Sequence, residues 1–433
     1  MIVEWNGTFD GAQMLWLLLA AILLILVLLP ALLGLFSRGR LLQLQLNPEQ
    51  WLTGAAVHVT LWLLLLHSLA FGPSLGTTPS GPEAEAPRPM SEMMRDAANQ
   101  RDIRPFFGRG GFVGDLHFAG FSQLEAQGDP GEPLFASRRP HHSVSLSAFV
   151  VLQLAVYLCA VGGVAAAVAT TGTSAGRVLA FSAGWGVLVY VPIAHWVWGE
   201  GWLGIRHAVD TGGSLFLLLT CCSVIAVGRA ADRPVAGEDS DCAGDRLQRI
   251  CTGLLWLGFP ILSCSLQVPS APLRAMMLLN LLAAACGGFG CSALLRLAFN
   301  ADSGSQLHGL LTGMAAAAAG AMLYDPMTAL ICGAAGTAAA LICCALLQKR
   351  LPLRTLQLPL HIAAAAVFGM LLPGLLAGSS NGVFHWDKTP VESLIHGSQQ
   401  LLIIQSLAAS STAVWSTVIT MLLKRIVLTP KAA

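Results

Sequence analysis

The stretch VPIAHWVWGEGWLGIRHAVDTGGS, Val191–Ser214, decides how this chain is read. An apolar helix runs through it into an edge carrying Trp196, Trp198 and Trp202, and then into a turn that ends at Asp210, Gly212 and Gly213. Tryptophan concentrates where a helix leaves hydrocarbon for water, because one side of the indole is apolar and its N–H needs a partner. A carboxylate followed by small residues is how a new helix is capped and started. The stretch therefore joins two membrane spans at one face of the bilayer.

Composition extends that reading to the whole chain. Of the 433 residues 55% are hydrophobic and 11% charged, and the mean hydropathy is +0.67. Those values exclude a water-soluble domain of this length and describe a polytopic membrane protein. Apolar runs long enough for a ~30 Å hydrocarbon core fall at 14–36, 51–72, 144–170, 177–199, 209–228, 248–267, 272–297, 306–324, 327–347, 357–377 and 398–424, which predicts an all-α bundle of eleven helices. The first run is not a cleaved leader, since Glu4 and Asp10 precede it and Arg38 and Arg40 follow it. With the N-terminus outside and the C-terminus cytoplasmic, most Lys and Arg fall on inner segments, and the short outer segments carry only Arg206, Arg274 and Lys388.

The sequence divides into a transmembrane domain, 1–429, interrupted by an external insertion at 73–143 and an inner loop at 230–245, and a short cytoplasmic tail at 430–433. The insertion is rich in Pro, Gly and charge, a composition that packs poorly. Segments such as GMAAAAAGA (313–321) and CGAAGTAAA (332–340) have the small residues that let helix backbones approach closely in lipid; drift of composition toward alanine is the alternative. The eleven cysteines lie almost all within apolar runs and read as small packing residues. No C-x-x-C pair or His/Cys cluster has metal-ligand spacing, so neither metal nor cofactor is expected. A net charge of +1 offers nucleic acid no footprint, and no nucleophile–base pair points to an enzyme.

Fragments spread along the chain carry a family resemblance. Pro192-Ile193-Ala194-His195 through Trp198-Gly199 and Gly201, followed by Asp210 and Gly212-Gly213, closely resembles the P-x-A-H-x-x-W-G-x-G…D-x-A-G-G segment of the ammonium transporter/methylammonium permease/Rhesus family. LPALLGLFSRGRL (29–41), His67–Gly72, RGGFVGDLHFAGF (109–121), Trp256–Phe259 with Ser263, Gly369–Gly374, and Gln400 to Trp415-Ser416 are similar to further family segments in the family's order. The resemblance implies eleven transmembrane helices in two inverted five-helix repeats, a homotrimer in the lipid bilayer, and one narrow pore per subunit.

Helix geometry puts Trp256, Phe259 and Ser263 on one face, at i, i+3 and i+7. A ring face attracts a cation by ~0.5–2 kcal/mol and a hydroxyl accepts an N–H bond, which suits ammonium. By resemblance Trp198 and Ser263 occupy recruitment positions, with Trp256 beside them. Phe259 is one of two stacked gate rings, and the other gate position falls on Val156. Without the resemblance, the tryptophans are an interfacial belt and Phe259 is core. Asp210 supports the recruitment site in the family and is equally a helix N-cap, accepting from residues such as Gly212 and Gly213.

The family also implies two histidines side by side at mid-membrane. In the fifth span that position falls on Leu217 or Leu218, and in the tenth on Ile362, with His361 one residue away. His361 is either a displaced pore residue or a helix histidine bonded to a backbone carbonyl. The chain is thus expected to be a divergent member that has lost the twin-histidine relay. The reading is a transporter or channel for ammonium, ammonia or methylammonium that works without that relay; the alternative is a transport-inactive sensor or partner subunit.

Overall fold

The computed structural model describes residues 11–37, 48–72, 74–75, 110–116, 118–121, 146–199, 201–228, 242–266, 271–299, 306–348, 356–378 and 391–428. Among them run α1 Gly11–Phe36, α2 Glu49–Phe71, α3 Ser147–Ala169, α4 Ala175–Val197, α5 Ser214–Gly228, α6 Arg246–Leu266, α7 Ala271–Ala298, α8 Leu307–Gly320, α9 Pro326–Leu347, α10 Gln357–Leu376 and α11 Gln400–Leu428. Nine of these are long and apolar enough to cross a membrane; α5 and α8 are shorter apolar helices. Every expected span is matched by one of them, and the chain is an all-helical multi-pass membrane protein.

The two short helices show where the bundle departs from regular spans. With 15 residues, α5 covers about 22 Å at ~1.5 Å per residue, less than a bilayer core. It starts at Ser214, later than the expected 209, because residues 209–213 form an irregular loop. Helix α8 tightens into a 3₁₀ turn at its end, Ala318–Gly320. These two interruptions meet: Thr211 N donates to the Ala319 carbonyl at 2.9 Å, the Ser214 hydroxyl donates to Ala315 at 2.9 Å, and Ala319 N donates back to that hydroxyl at 2.8 Å. Irregular backbone survives at this depth only when protein satisfies it, and here each interruption satisfies the other.

The helices pair in a repeating pattern. α1 packs on α3 as α6 packs on α8, α3 on α5 as α8 on α10, and α2 on α4 as α7 on α9, while α1 meets α6 and α5 meets α10 across the two halves. This is the arrangement of two five-helix repeats, with α11 laid against α5 and α10. The second half is the more closely packed. A Cβ at Gly333 of α9 would collide with the Ala284 carbonyl of α7, and one at Gly288 would collide with the Gly309 carbonyl of α8, so close approach sets the use of small residues there.

Proline bends the helices that border the site. Pro192 has no N–H to give to the Leu188 carbonyl one turn back, and a π turn at Gly186–Tyr190 widens the helix just before it. The Trp415 indole of α11 takes up that carbonyl at 2.8 Å. Pro30 in α1 follows a π turn at Leu24–Leu28 in the same way.

Of the insertion at 73–143, the described residues 110–116 and 118–121 are docked on the helix ends. Gly114 N donates to Leu69 at 2.7 Å, Ser68 donates to Asp115 at 2.8 Å, and the Trp196 indole donates to Phe112 at 2.9 Å. Most of 73–143, the loop 230–241 and the tail 430–433 lie outside the described residues.

Candidate functional site

The candidate site is built on the loop between α4 and α5. Helix α4 closes with Trp198 N and Gly199 N both donating to Ala194, and the chain turns through His207, whose φ of 70° is left-handed. His195 is held behind the loop between the Ser74 hydroxyl at 3.0 Å and the Ala70 carbonyl at 3.1 Å. Asp210 then caps α5. One carboxylate oxygen accepts from Gly213 N at 3.0 Å and Ser214 N at 2.8 Å, and the other accepts from Leu215 N at 3.1 Å. The donors sit further along the chain than Gly212, because Gly213 has a φ of 86° and swings the next amides toward the carboxylate. The Trp198 indole is near enough to that carboxylate to act on it electrostatically, but its buried Nε1 makes no hydrogen bond among the described residues.

Neighbouring helices clamp the loop. The Ser263 hydroxyl of α6 donates to the Gly212 carbonyl at 2.6 Å, which leaves its oxygen an acceptor for an N–H group. Gln405 of α11 accepts from Val209 N at 2.8 Å and donates to the Val209 and Met370 carbonyls at 2.8 and 2.9 Å, so it ties the loop to α10. In the sequence Gln405 is one of several polar residues of this helix, inside a segment that resembles the family, and nothing there marks it as the clamp. Asp210 and Ser263 are thus joined through the loop backbone, with Trp198 beside the carboxylate. Trp256 lies one turn from Phe259 and two from Ser263 on α6; its indole N–H is buried without a hydrogen-bond partner among the described residues.

Beyond this loop the expected gate and mid-span positions are apolar and buried. Val156, Phe259, Leu217, Leu218 and Ile362 are all buried, none more than 4% exposed, within one hydrophobic core. Leu217 and Leu218 on α5 and Ile362 on α10 belong to helices that pack directly on each other. None of these side chains titrates.

The Nδ1 of His361 is buried and has no hydrogen-bond partner among the described residues. The ring lies 6.0 Å, centroid to centroid, from that of His308 in the first turn of α8, tilted by 58°. The Nδ1 of His308 is likewise buried and without a partner among the described residues. Leaving a buried ring nitrogen unmatched costs about 1–3 kcal/mol. His308 was not expected from the sequence: its only signal was a histidine at the start of an apolar run, and nothing in the spacing pairs it with α10. His58, for which the sequence offered no partner, bonds the Tyr157 hydroxyl at 2.7 Å and the Ser182 hydroxyl at 2.9 Å. Among the described residues no three His, Cys, Asp or Glu gather as metal ligands.

Comparison with known proteins bears on this arrangement. The sequence model of the Ammonium Transporter Family matches residues 106–430. The ammonium transporter Amt1 of Archaeoglobus fulgidus is 25% identical over 252 residues, which are 57% of this chain and 62% of that relative. The chain thus spans less than two thirds of that relative's length. Among solved structures, the delta442 mutant of Mep2 from Candida albicans gives a TM-score of 0.72 at 18% identity, covering 98% of this chain and 94% of its own. A structure described as a sensor Amt protein gives 0.64 at 18% identity, covering 96% and 93%. At these identities the structural likeness shows the fold alone. The family model matches most of the chain, including the capped α4–α5 loop, α6, α10 and the glutamine clamp of α11, and so the chain belongs to the ammonium transporter family.

Proposed function

We propose that this protein is an ammonium-linked transporter or channel of divergent type, which recruits its substrate at the Trp198–Asp210–Ser263 end and passes it without a mid-membrane histidine pair. The observation that carries the reading is one arrangement: the Trp198 indole at the end of α4, the Asp210 carboxylate that caps α5, and the Ser263 hydroxyl of α6, which bonds the Gly212 carbonyl of the loop between them and keeps a lone pair. An ammonium ion there meets ring faces and an acceptor. Below it, Val156, Phe259, Leu217 and Ile362 offer an ion no solvation, so the species that crosses is the uncharged amine. The working unit is a homotrimer in a cell membrane, with the N-terminus outside and the transmembrane domain running over 1–429.

Uptake of labelled methylammonium into vesicles tests this. Wild-type vesicles should fill faster than empty ones, and Phe259→Ala should change that rate; vesicles no leakier than empty ones sink the reading. In that event the second reading stands, a transport-inactive sensor or partner subunit. It is favoured by the buried apolar side chains at the same positions and by the likeness to the sensor Amt structure.

A further inference from the structure

Two hydroxyls of α5 are held from opposite sides of the helix. Ser214 is bound to α8: its hydroxyl donates to the Ala315 carbonyl at 2.9 Å and accepts from Ala319 N at 2.8 Å. Ser223 lies nine residues further on, which is two and a half turns at ~3.6 residues per turn and therefore the opposite face. Its hydroxyl is bound from α4 and α11. It accepts from the Trp185 indole at 2.9 Å and from the Thr420 hydroxyl at 3.2 Å, and gives its own hydrogen to the Leu219 carbonyl at 2.8 Å. A serine hydroxyl has one hydrogen and two lone pairs, so this one is fully used. Ser223, Trp185 and Thr420 are all completely buried.

The end of the helix is also tied to α11. The Lys424 ammonium donates to the Val227 carbonyl at 2.5 Å, with the Ala226 carbonyl at 3.5 Å, and a cation there suits the helix dipole as Asp210 does at the start. Those caps act on backbone groups, which lie all around the axis, whereas the side-chain bonds of Ser214 and Ser223 specify a rotation. Turning α5 by one residue, ~100°, would carry both hydroxyls away from their partners and leave the Trp185 N–H without an acceptor in an apolar interior, which is unfavourable. The same turn would bring Leu218 to the direction that Leu217 now holds. Of these two leucines only Leu217 retains exposed surface, 4% against 0%. Helices α3 and α10, which carry Val156 and Ile362, both pack on α5.

We propose that Ser223 is a positioning residue for the pathway: held by Trp185 and Thr420, it sets the rotation of α5 that turns Leu217, and not Leu218, toward the constriction. It touches no substrate and acts through Leu217. This role deepens the transport reading and rests on it for the purpose of the constriction, whereas the rotation stands on the hydrogen bonds alone.

The test reads the rotation in the full chain in nanodiscs. A thiol is introduced on α5 by Leu217→Cys or by Leu218→Cys and exposed to methyl methanethiosulfonate, which is small and uncharged, and its labelling rate is followed by mass spectrometry of the peptide that carries it. With Ser223 in place the thiol at 217 should label several-fold faster than the one at 218. Adding Ser223→Ala should slow the first and speed the second, and Trp185→Phe, which removes the donor and keeps the serine, should act in the same direction. A general loosening of the fold would instead speed both. Equal rates with Ser223 in place overturn the proposal, as does a Ser223→Ala protein in which both rates stay the same or both rise. Stopped-flow uptake of methylamine into vesicles separates this from the transport reading. Uptake by the wild type with labelling unmoved by Ser223→Ala would leave transport standing and remove the role of Ser223, whereas reversed labelling in a protein that carries nothing would keep the rotation set by Ser223 and remove transport.

Discussion

Asp210 accepts three backbone N–H bonds and so anchors both the start of α5 and the mouth of the proposed pathway. Truncating it leaves the amides of Gly213, Ser214 and Leu215 without an acceptor in a buried place. The loss of a cap is worth about 0.5–2 kcal/mol, and burial places this one at the upper end. Asp210→Ala is therefore expected to lower the thermal midpoint of the solubilised protein, and Asp210→Asn, which keeps one carbonyl acceptor, to lower it less. Equal losses in the two would mean that the charge rather than the cap matters. The cap was legible as a carboxylate before two glycines. Its donors were not, because the turn that Gly213 makes depends on the left-handed backbone it adopts in the folded chain.

Helix α4 shows how an element that breaks a local rule is repaired from elsewhere. Pro192 orphans the Leu188 carbonyl, and only Trp415, far along the chain on α11, reaches it. Replacing Trp415 by Phe keeps the ring and removes the donor, which should cost about 1–3 kcal/mol for the unmatched carbonyl. Melting followed by loss of the monodisperse peak in detergent would read this, and a Trp415→Phe protein as stable as wild type would show that water takes over the carbonyl. The proline and the tryptophan were both visible in the sequence. Their pairing was not, since it needs the crossing of α4 and α11.

At the scale of the molecule, the proposed pathway runs from the Ser263 end of α6 past Phe259 and Leu217. Leu217→Ala opens the apolar constriction without adding a charge, so the uptake rate of methylamine should rise several-fold in vesicles, read by stopped-flow. If the rate does not change, the path runs elsewhere in the bundle. What the sequence determined alone is the order of the apolar helices, the small residues that pack the second half and the Asp-capped loop between α4 and α5. Each of these follows from hydrophobic runs or from residues close together in the chain. What only the tertiary structure decided is which way each helix faces. α5 is apolar all round and buried almost throughout, so its periodicity carries no signal of rotation. The hydrogen Ser263 gives to Gly212, the Gln405 clamp and the meeting of His308 with His361 all depend on that rotation, and on helices that touch only once the chain has folded.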